Sequence, residues 1–110
     1  MPTQIFATYR LHDGVDPAAF VKWSREVDQP ACRQAPAIHS FKVYLVAGDS
    51  VDIKGGVVEG NSFNVVEDIV AESWDALQAT FASEDWKEIG SAWGTFADEN
   101  SLQFHLSEVI

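Results

Sequence analysis

The chain has 110 residues, 46% of them hydrophobic and 12% aromatic, with a net charge of −10, which excludes a disordered chain and predicts one folded domain over residues 1–110. The acidic balance argues against nucleic acid and anionic membrane surfaces as partners, and no apolar run approaches the roughly 20 residues that cross a bilayer. A single cysteine and the lack of a basic, apolar leader indicate a cytoplasmic protein.

The first half of the chain predicts a strand, a helix and a second strand. Residues 4–12 have the composition of a strand. A helix follows, because Asp16 is a typical N-cap and Pro17 a typical first helical residue. Pro30 is expected to end or kink this helix, because proline lacks an N–H and clashes with the preceding turn. A short helical turn then leads into a second strand over residues 38–47.

The second half begins with a glycine-rich loop. Residues 48–61 hold four of the seven glycines and predict a loop with a short β excursion at residues 57–58. The remaining elements are a strand, two serine-capped helices and a last strand: residues 62–71, helices beginning after Ser73 and Ser83, and residues 102–109.

This order of elements, β-α-β-β-α-α-β, predicts a ferredoxin-like α+β fold. Its antiparallel four-stranded sheet carries the helices on one face. All four strands have apolar residues on both faces, as Ile5 beside Phe6 and Val65 beside Val66 illustrate. In a sheet with one solvent-exposed face, apolar and polar residues would alternate more regularly along each strand. We therefore expect the second face to meet a partner, most simply a second copy of the chain in a homodimer.

Two segments carry a resemblance to a known superfamily. WSREVDQPACRQAPAIHSFKVYLV, residues 23–46, and FASEDWKEI, residues 81–89, resemble the dimeric α/β-barrel proteins, and the resemblance extends over the whole chain. In these proteins two ferredoxin-like subunits pack sheet to sheet. The superfamily includes antibiotic-biosynthesis monooxygenases, muconolactone isomerase, haem-degrading enzymes and EthD-like proteins. EthD-like relatives often have a histidine two residues before the first proline, where this chain has Asp28.

Within that superfamily the chain most resembles the RedY-like group of the HapK/PigK type. This resemblance implies a role in forming or handling the bipyrrole precursor of a tripyrrole, prodigiosin-type pigment. It further implies a cofactor-independent protein that directs ring formation. A planar pyrrole- or indole-like molecule would then be its ligand.

Asp28 and His39 are candidate catalytic residues because the topology brings them to the same end of the sheet. A carboxylate beside an imidazole raises the imidazole pKa and fixes its tautomer, which makes a better general base. The alternative is that Asp28 caps the turn begun by Pro30 and that His39 is a solvated strand end.

Glu67 is a third candidate catalytic residue. It interrupts an apolar alternation formed by Phe63, Val65 and Ile69. A carboxylate that points inward from a strand is costly unless it is paired or protonated. Two interpretations remain open: an ion pair with Lys42 across the hairpin, or an acid whose pKa is raised.

Aromatic residues suggest how a flat ligand would be held. Trp23 and Trp93 are the preferred walls of an aromatic pocket, Tyr9 is a candidate phenolic donor, and His105 in strand four is a further candidate for substrate binding. The alternative is that the tryptophans fill the core and that Tyr9 is buried with one hydrogen bond. The histidines do not converge at metal-ligand spacing and no glycine-rich phosphate loop occurs, so neither a metal nor a cofactor is expected.

Three functions of different classes are therefore expected as alternatives. The first is a cofactor-independent enzyme or assisting protein that promotes ring formation or condensation by acid–base catalysis. The second is a cofactorless monooxygenase of an aromatic polyketide or phenol, which would consume oxygen. The third is a non-catalytic binder or chaperone of a pigment intermediate, which would bind without turnover.

Overall fold

The structure, a computed structural model, describes residues 1–60 and 62–110; Asn61, at the end of the predicted loop, lies outside the described residues. The strands and helices, in chain order, are β1 (Thr3–Leu11), α1 (Pro17–Trp23), α2 (Gln29–Gln34), β2 (Ile38–Leu45), β3 (Val65–Ala71), α3 (Trp74–Ala82), α4 (Lys87–Phe96) and β4 (Ala97–Ser107). A π-helical turn over Ser24–Asp28 and a 3₁₀ turn over Glu84–Trp86 precede α2 and α4.

Within the described ranges the four strands form one sheet in the order β2-β3-β1-β4. Each neighbouring pair is antiparallel. The helices cover one face, on which alternate residues of β1 from Ile5 to Leu11 are buried. The predicted ferredoxin-like α+β fold is therefore confirmed.

The helical segment after β1 passes through Pro30, and the short helical turn expected after this proline is α2. Asp16 caps α1 as expected, because its side chain accepts a hydrogen bond from Ala18 N at 3.0 Å. Pro30 does not end the helix, which continues through α2. In the π-helical turn before it, Gln29 N donates to Ser24 O. This wider turn displaces the carbonyl that a proline ring would otherwise meet, so Pro30 fits inside a continuous helical path.

The serine caps of the later helices differ from each other. Ser73 caps α3 as predicted, with its hydroxyl accepting from Ala76 N at 3.0 Å. Ser83 instead donates to Thr80 O at 2.7 Å, at the end of α3. Ser83 holds the N-cap position of the 3₁₀ turn that leads into α4, but its side chain makes no capping hydrogen bond there, so the predicted side-chain cap is wrong.

Local pairing moves some strand ends from their predicted positions. β4 begins at Ala97 rather than at residue 102, because it pairs with the end of β1, where Leu11 lies opposite Ala97. The loop before β3 contains an isolated bridge between Val51 and Val57. This bridge confirms the predicted β excursion.

A β-bulge interrupts the start of β2. The register against β3 shifts by one residue between Ile38 and Ser40, so His39 is an extra residue in the strand. Ile38 and Phe41 consequently both face the buried side of the sheet, whereas His39 remains exposed. The extra residue breaks the regular alternation of side chains between the two faces at the start of this strand.

Two clusters of apolar side chains form the core on the helix-covered face. The first cluster includes Ile5, Cys32, Ile38, Phe41, Ile69 and Leu77. The second includes Tyr9, Leu11, Phe20, Val65 and Ala97. Val43 and Leu102 pack against both clusters.

The other face of the sheet has apolar side chains that remain exposed in the single chain. Phe6 of β1 and Tyr44 of β2 are 36% and 53% exposed. Within the described residues, none of the helices is both long and apolar enough to cross a bilayer.

Candidate functional site

A cavity of about 160 Å³ opens between the sheet and the later helices. Its walls are mostly aromatic and aliphatic, and its polar groups come from the sheet and from the π-helical turn and α2. The lining residues are Tyr9, Asp28, Cys32, Phe41, Glu67, Phe81, Trp86, Ile89, Gly90, Trp93, Leu102 and Phe104.

Glu67 brings a carboxyl group into this cavity from the middle of β3. The strand alternates regularly, so Glu67 faces the helices together with Val65 and Ile69 and is 7% exposed. Tyr9 OH donates to Glu67 Oε2 at 2.6 Å. The alternative pairing with Lys42 is wrong, because Lys42 lies opposite Asp68, whose side chain belongs to the other face of β3.

Asp28 reaches the same cavity from the π-helical turn. It is 6% exposed, and it makes no side-chain capping hydrogen bond to α2, so the alternative role as a cap is also wrong. Cys32 Sγ lies 3.7 Å from Asp28 Oδ1 and donates to it. Cys32 is itself buried, as expected for a small core residue.

Burial raises the pKa values of both acids. The pKa of Glu67 is raised to about 8, first by burial and second by the charge of Asp28, against the hydrogen bond from Tyr9. Burial likewise raises the pKa of Asp28 to about 6, against the hydrogen bond from Cys32. The pKa values of Tyr9 and Cys32 rise through burial first and through neighbouring carboxylates second. The interpretation of Glu67 as a raised-pKa acid is therefore supported.

The two carboxyl groups form a chemically useful pair near neutral pH. Near neutral pH the pair as a whole holds about one proton, because the pKa values of both carboxyl groups are raised. Two carboxyl groups whose environments separate their pKa values can supply a general acid and a general base side by side.

His39 lies outside the cavity, and the predicted Asp28–His39 pair is wrong. His39 Nε2 is 2.6 Å from Glu72 Oε2, and both side chains are exposed. The β-bulge at the start of β2 explains the difference, because it leaves His39 on the exposed side near the end of β3 while Ile38 takes the buried position.

Two of the predicted substrate-binding residues also lie elsewhere. Trp23 packs against Phe20 and Phe96, with ring centroids 6.2 and 5.5 Å away, because its position on α1 faces the second core cluster. His105 lies opposite Phe6 on the outer face of the sheet, where its Nε2 is 3.0 Å from Thr8 Oγ1. Neither residue lines the cavity.

Trp93 and Tyr9 do line the cavity, as predicted. Their rings meet edge to face, with centroids 5.0 Å apart and planes at 78°. This contact buries Tyr9 and holds its hydroxyl toward Glu67. Tyr9 thus combines both alternatives, since it is buried with a hydrogen bond and is also part of the site.

The sequence did not single out three further wall residues. Phe81 contacts Trp86 and Phe104 with centroid distances of 5.6 and 6.4 Å. The spacing of Phe104 with Leu102 in β4 marks the helix-facing side of the strand and could have identified it. Trp86 could not be chosen over Trp23 without knowing which way each helix is turned.

Among residues 1–60 and 62–110, no three His, Cys, Asp or Glu side chains cluster closely enough to hold a metal ion. The titratable groups that line the cavity are the phenol, the thiol and the two carboxyl groups already described, and the indole N–H groups belong to Trp86 and Trp93.

Comparison with solved structures shows the ferredoxin-like fold. HapK from Hahella chejuensis has a TM-score of 0.74 at 19% identity, covering 98% of this chain and 92% of that chain. An ethyl tert-butyl ether D (EthD) family protein from Bacillus halodurans C-125 has a TM-score of 0.65 at 20% identity, with both chains fully covered at 100%. A dimeric protein of unknown function from Bacteroides fragilis NCTC 9343 has a TM-score of 0.64 at 11% identity, covering 98% and 96%.

Sequence comparison identifies the family. No curated protein sequence matches the chain. The family described as REDY-like protein HapK matches residues 3–110, which include the cavity, its aromatic walls and both buried carboxyl groups. The chain therefore belongs to the REDY-like HapK family.

Proposed function

We propose that the chain binds a planar pyrrole- or indole-like intermediate of a prodigiosin-type pigment pathway and promotes its ring formation or condensation without a cofactor. The pathway and the ligand class follow from the RedY-like resemblance. The observation that carries the proposal is the buried Tyr9–Glu67–Asp28 group at an aromatic cavity.

The carboxyl pair suits the chemistry of such a condensation. An electron-rich ring carbon attacks a carbonyl or imine carbon, whose oxygen or nitrogen must accept a proton. The attacking carbon must afterwards lose its hydrogen as a proton to restore aromaticity. Protonated Glu67 supplies the first proton and ionised Asp28 accepts the second, which completes the addition. In a condensation Asp28 then gives its proton to the new hydroxyl or amino group, which leaves as water or an amine. The ring nitrogen of the resulting cation loses its proton to Glu67, so the pair regains its starting protonation state. Tyr9 orients the carboxyl group of Glu67 through its hydrogen bond.

The size of the cavity suits one flat ring of such a ligand. It encloses about 160 Å³, similar to an engineered apolar cavity of about 150 Å³ in another protein that binds benzene. Aromatic walls favour stacked or edge-to-face contacts with a flat ring. A linked two-ring molecule would place one ring inside and the other at the mouth.

We further propose that the working form is a homodimer whose subunits meet through the outer face of the sheet. The exposed Phe6 and Tyr44 on that face support it, as does the dimeric ferredoxin-like relative from Bacteroides fragilis. Sedimentation at micromolar concentration tests it, and a monomer would contradict it.

The enzymatic proposal is tested with synthetic bipyrrole and bisindole substrates and matched variants. We expect Glu67→Gln and Asp28→Asn each to lower turnover by roughly 10²- to 10⁴-fold, the usual contribution of general acid–base catalysis. His39→Ala, which removes a titratable group outside the cavity, is the control and should keep full turnover. Binding without turnover at any pH would indicate a non-catalytic binder instead. Oxygen consumption with an electron-rich phenol would indicate a monooxygenase.

A further inference from the structure

We propose that the cavity selects the cationic form of a planar nitrogen heteroaromatic and releases a proton when that cation binds. This inference rests on the proposed function and deepens it, because it specifies the charge of the ligand. It distinguishes protonated imines and iminium-type ring systems from neutral arenes and from phenolates.

The charge of the cavity lining is one-sided. Its ionisable groups are Tyr9, Asp28, Cys32 and Glu67, all of which become negative on ionisation. Arg33 is the cation whose charge reaches Cys32. Its guanidinium, however, donates to Gln29 Oε1 at 3.0 Å and to Phe41 O at 3.3 Å, and Arg33 does not line the cavity. The buried carboxyl pair is therefore left without a cationic partner inside the cavity.

A buried carboxylate that lacks a cationic partner is unstable in its charged form. A ligand that brings positive charge and an N–H donor into the cavity would supply that partner. The repulsion between Asp28 and Glu67 would then be offset by the ligand, and the ionised form of both would become accessible. An anionic ligand would instead add to the negative charge of the carboxyl pair and would be excluded.

The aromatic walls favour the same charge. Phe81, Trp86, Trp93 and Phe104 line the cavity, and the face of an aromatic ring attracts a cation through its quadrupole. This attraction is strongest where water is excluded. The carboxyl groups and the aromatic rings thus both favour a positively charged ligand.

Proton release follows from the protonation state of the free site. Near neutral pH the pair as a whole holds about one proton. A bound cation favours the ionised pair, so that proton leaves to solvent as the ligand enters. A protonated imine already carries on its nitrogen the proton that Glu67 gives to a neutral substrate, so toward a cationic substrate the ionised pair acts as the base. Because binding and proton release are linked, the affinity for a permanent cation should rise with pH by up to about tenfold per pH unit.

Three probes of nearly equal shape and different charge test the inference. N-methylpyridinium is a permanent cation, toluene is its neutral isostere, and benzoate is an anion. Binding is measured by quenching of tryptophan fluorescence and by calorimetry, in moderate salt so that the net negative surface does not attract the cation nonspecifically. Calorimetry in two buffers of different ionisation enthalpy counts the released protons.

We expect the cation to bind at least about tenfold more tightly than its neutral isostere above neutral pH, and the anion not to bind. Glu67→Gln and Asp28→Asn should each reduce the affinity for the cation about tenfold, flatten its pH dependence, and leave the neutral probe unaffected. Asp13→Asn removes the same charge from the exposed turn after β1, away from the cavity and from the outer face of the sheet, and should change neither affinity. The probe comparison on the unaltered protein needs no variant to fold.

Two outcomes would overturn the inference in different ways. If the neutral isostere binds as tightly as the cation, or if the affinity for the cation does not change with pH, the charge selectivity is refuted. The aromatic binding site is retained in either case. If none of the three probes binds, the planar aromatic site of the proposed function falls, and the charge selectivity falls with it.

Discussion

Replacing Glu67 with glutamine removes an ionisable group from the cavity while nearly keeping its shape and its hydrogen bond with Tyr9. The side chain is 7% exposed, so the ionised carboxylate is poorly solvated in the folded protein. The amide of the variant is neutral at every pH. The difference between the two proteins therefore isolates the free energy of ionising this group inside the fold.

The sign of the effect follows from where the proton is held. In the folded protein the pKa of Glu67 is raised from 4.5 to about 8. Between these values the folded chain keeps a proton that the unfolded chain loses. The free energy of unfolding therefore falls as the pH rises through this window. Each pKa unit corresponds to about 1.4 kcal/mol, so the full rise corresponds to roughly 4 to 5 kcal/mol.

We expect the two proteins to have similar unfolding free energies at about pH 5, within about 1 kcal/mol. At about pH 9 we expect the glutamine variant to be the more stable one, by roughly 4 kcal/mol. Urea unfolding followed by far-ultraviolet circular dichroism, at one protein concentration throughout, measures both values. Asp13→Asn, in the exposed turn after β1, is the control for losing one negative charge and should not show this dependence on pH. An equal difference between the unaltered protein and the glutamine variant at both pH values would refute the reasoning, because it would mean that Glu67 ionises as freely in the fold as in water.

Three further substitutions probe other parts of the structure. His39→Ala breaks an exposed pair with Glu72, worth about 0–1 kcal/mol, so the urea midpoint and the turnover should hardly change; a tenfold loss of turnover with intact folding would return His39 to the site. Tyr9→Phe removes the donor to Glu67, and we expect unfolding free energy to fall by roughly 1.5–3 kcal/mol at about pH 9 and by less at about pH 5; equal losses would contradict the hydrogen bond to the ionised carboxylate. Phe6→Glu puts a charge on the outer face of the sheet and should shift sedimentation toward a monomer, whereas an unchanged sedimentation coefficient would argue against that face as the interface.

The sequence predicted the fold and one part of the site for the same physical reason, which is the regular alternation of strands. β3 pairs with β1 without any shift in register, so the inward position of Glu67 could be read from its neighbours Val65 and Ile69. The same rule failed at His39, because one extra residue at the start of β2 reverses the alternation there. A bulge of this kind leaves no distinctive composition in a single sequence.

The helical contributions to the site were harder to predict. Asp28 was singled out for its position near the start of β2, but its true neighbours depend on how far the helix has turned when it reaches that residue. Trp93 lines the cavity and Trp23 does not, although both lie on apolar faces of helices. Helical periodicity indicates that a face is buried, but it does not say against which part of the sheet.

The π-helical turn at Ser24–Asp28 has a consequence for how this chain can be aligned and altered. Such a turn holds one residue more than an α-helix of equal length, so deleting a single codon within it would restore a regular helix. The segments on its two sides would then keep nearly their present orientation, because the wider turn and the shortened α-helical turn rotate the chain by about the same angle. If the same five residues instead wound as an α-helix, the segment after them would rotate by about 100°, and Asp28 and Cys32 would leave the cavity while Phe20 stayed in the core. An alignment that slides a one-residue gap across this turn exchanges the carboxylate with an unrelated neighbour. Which residue supplies the carboxyl group at this site thus depends on the wider helical turn before it. Homologous positions should therefore be identified by structural superposition before the sequences are aligned.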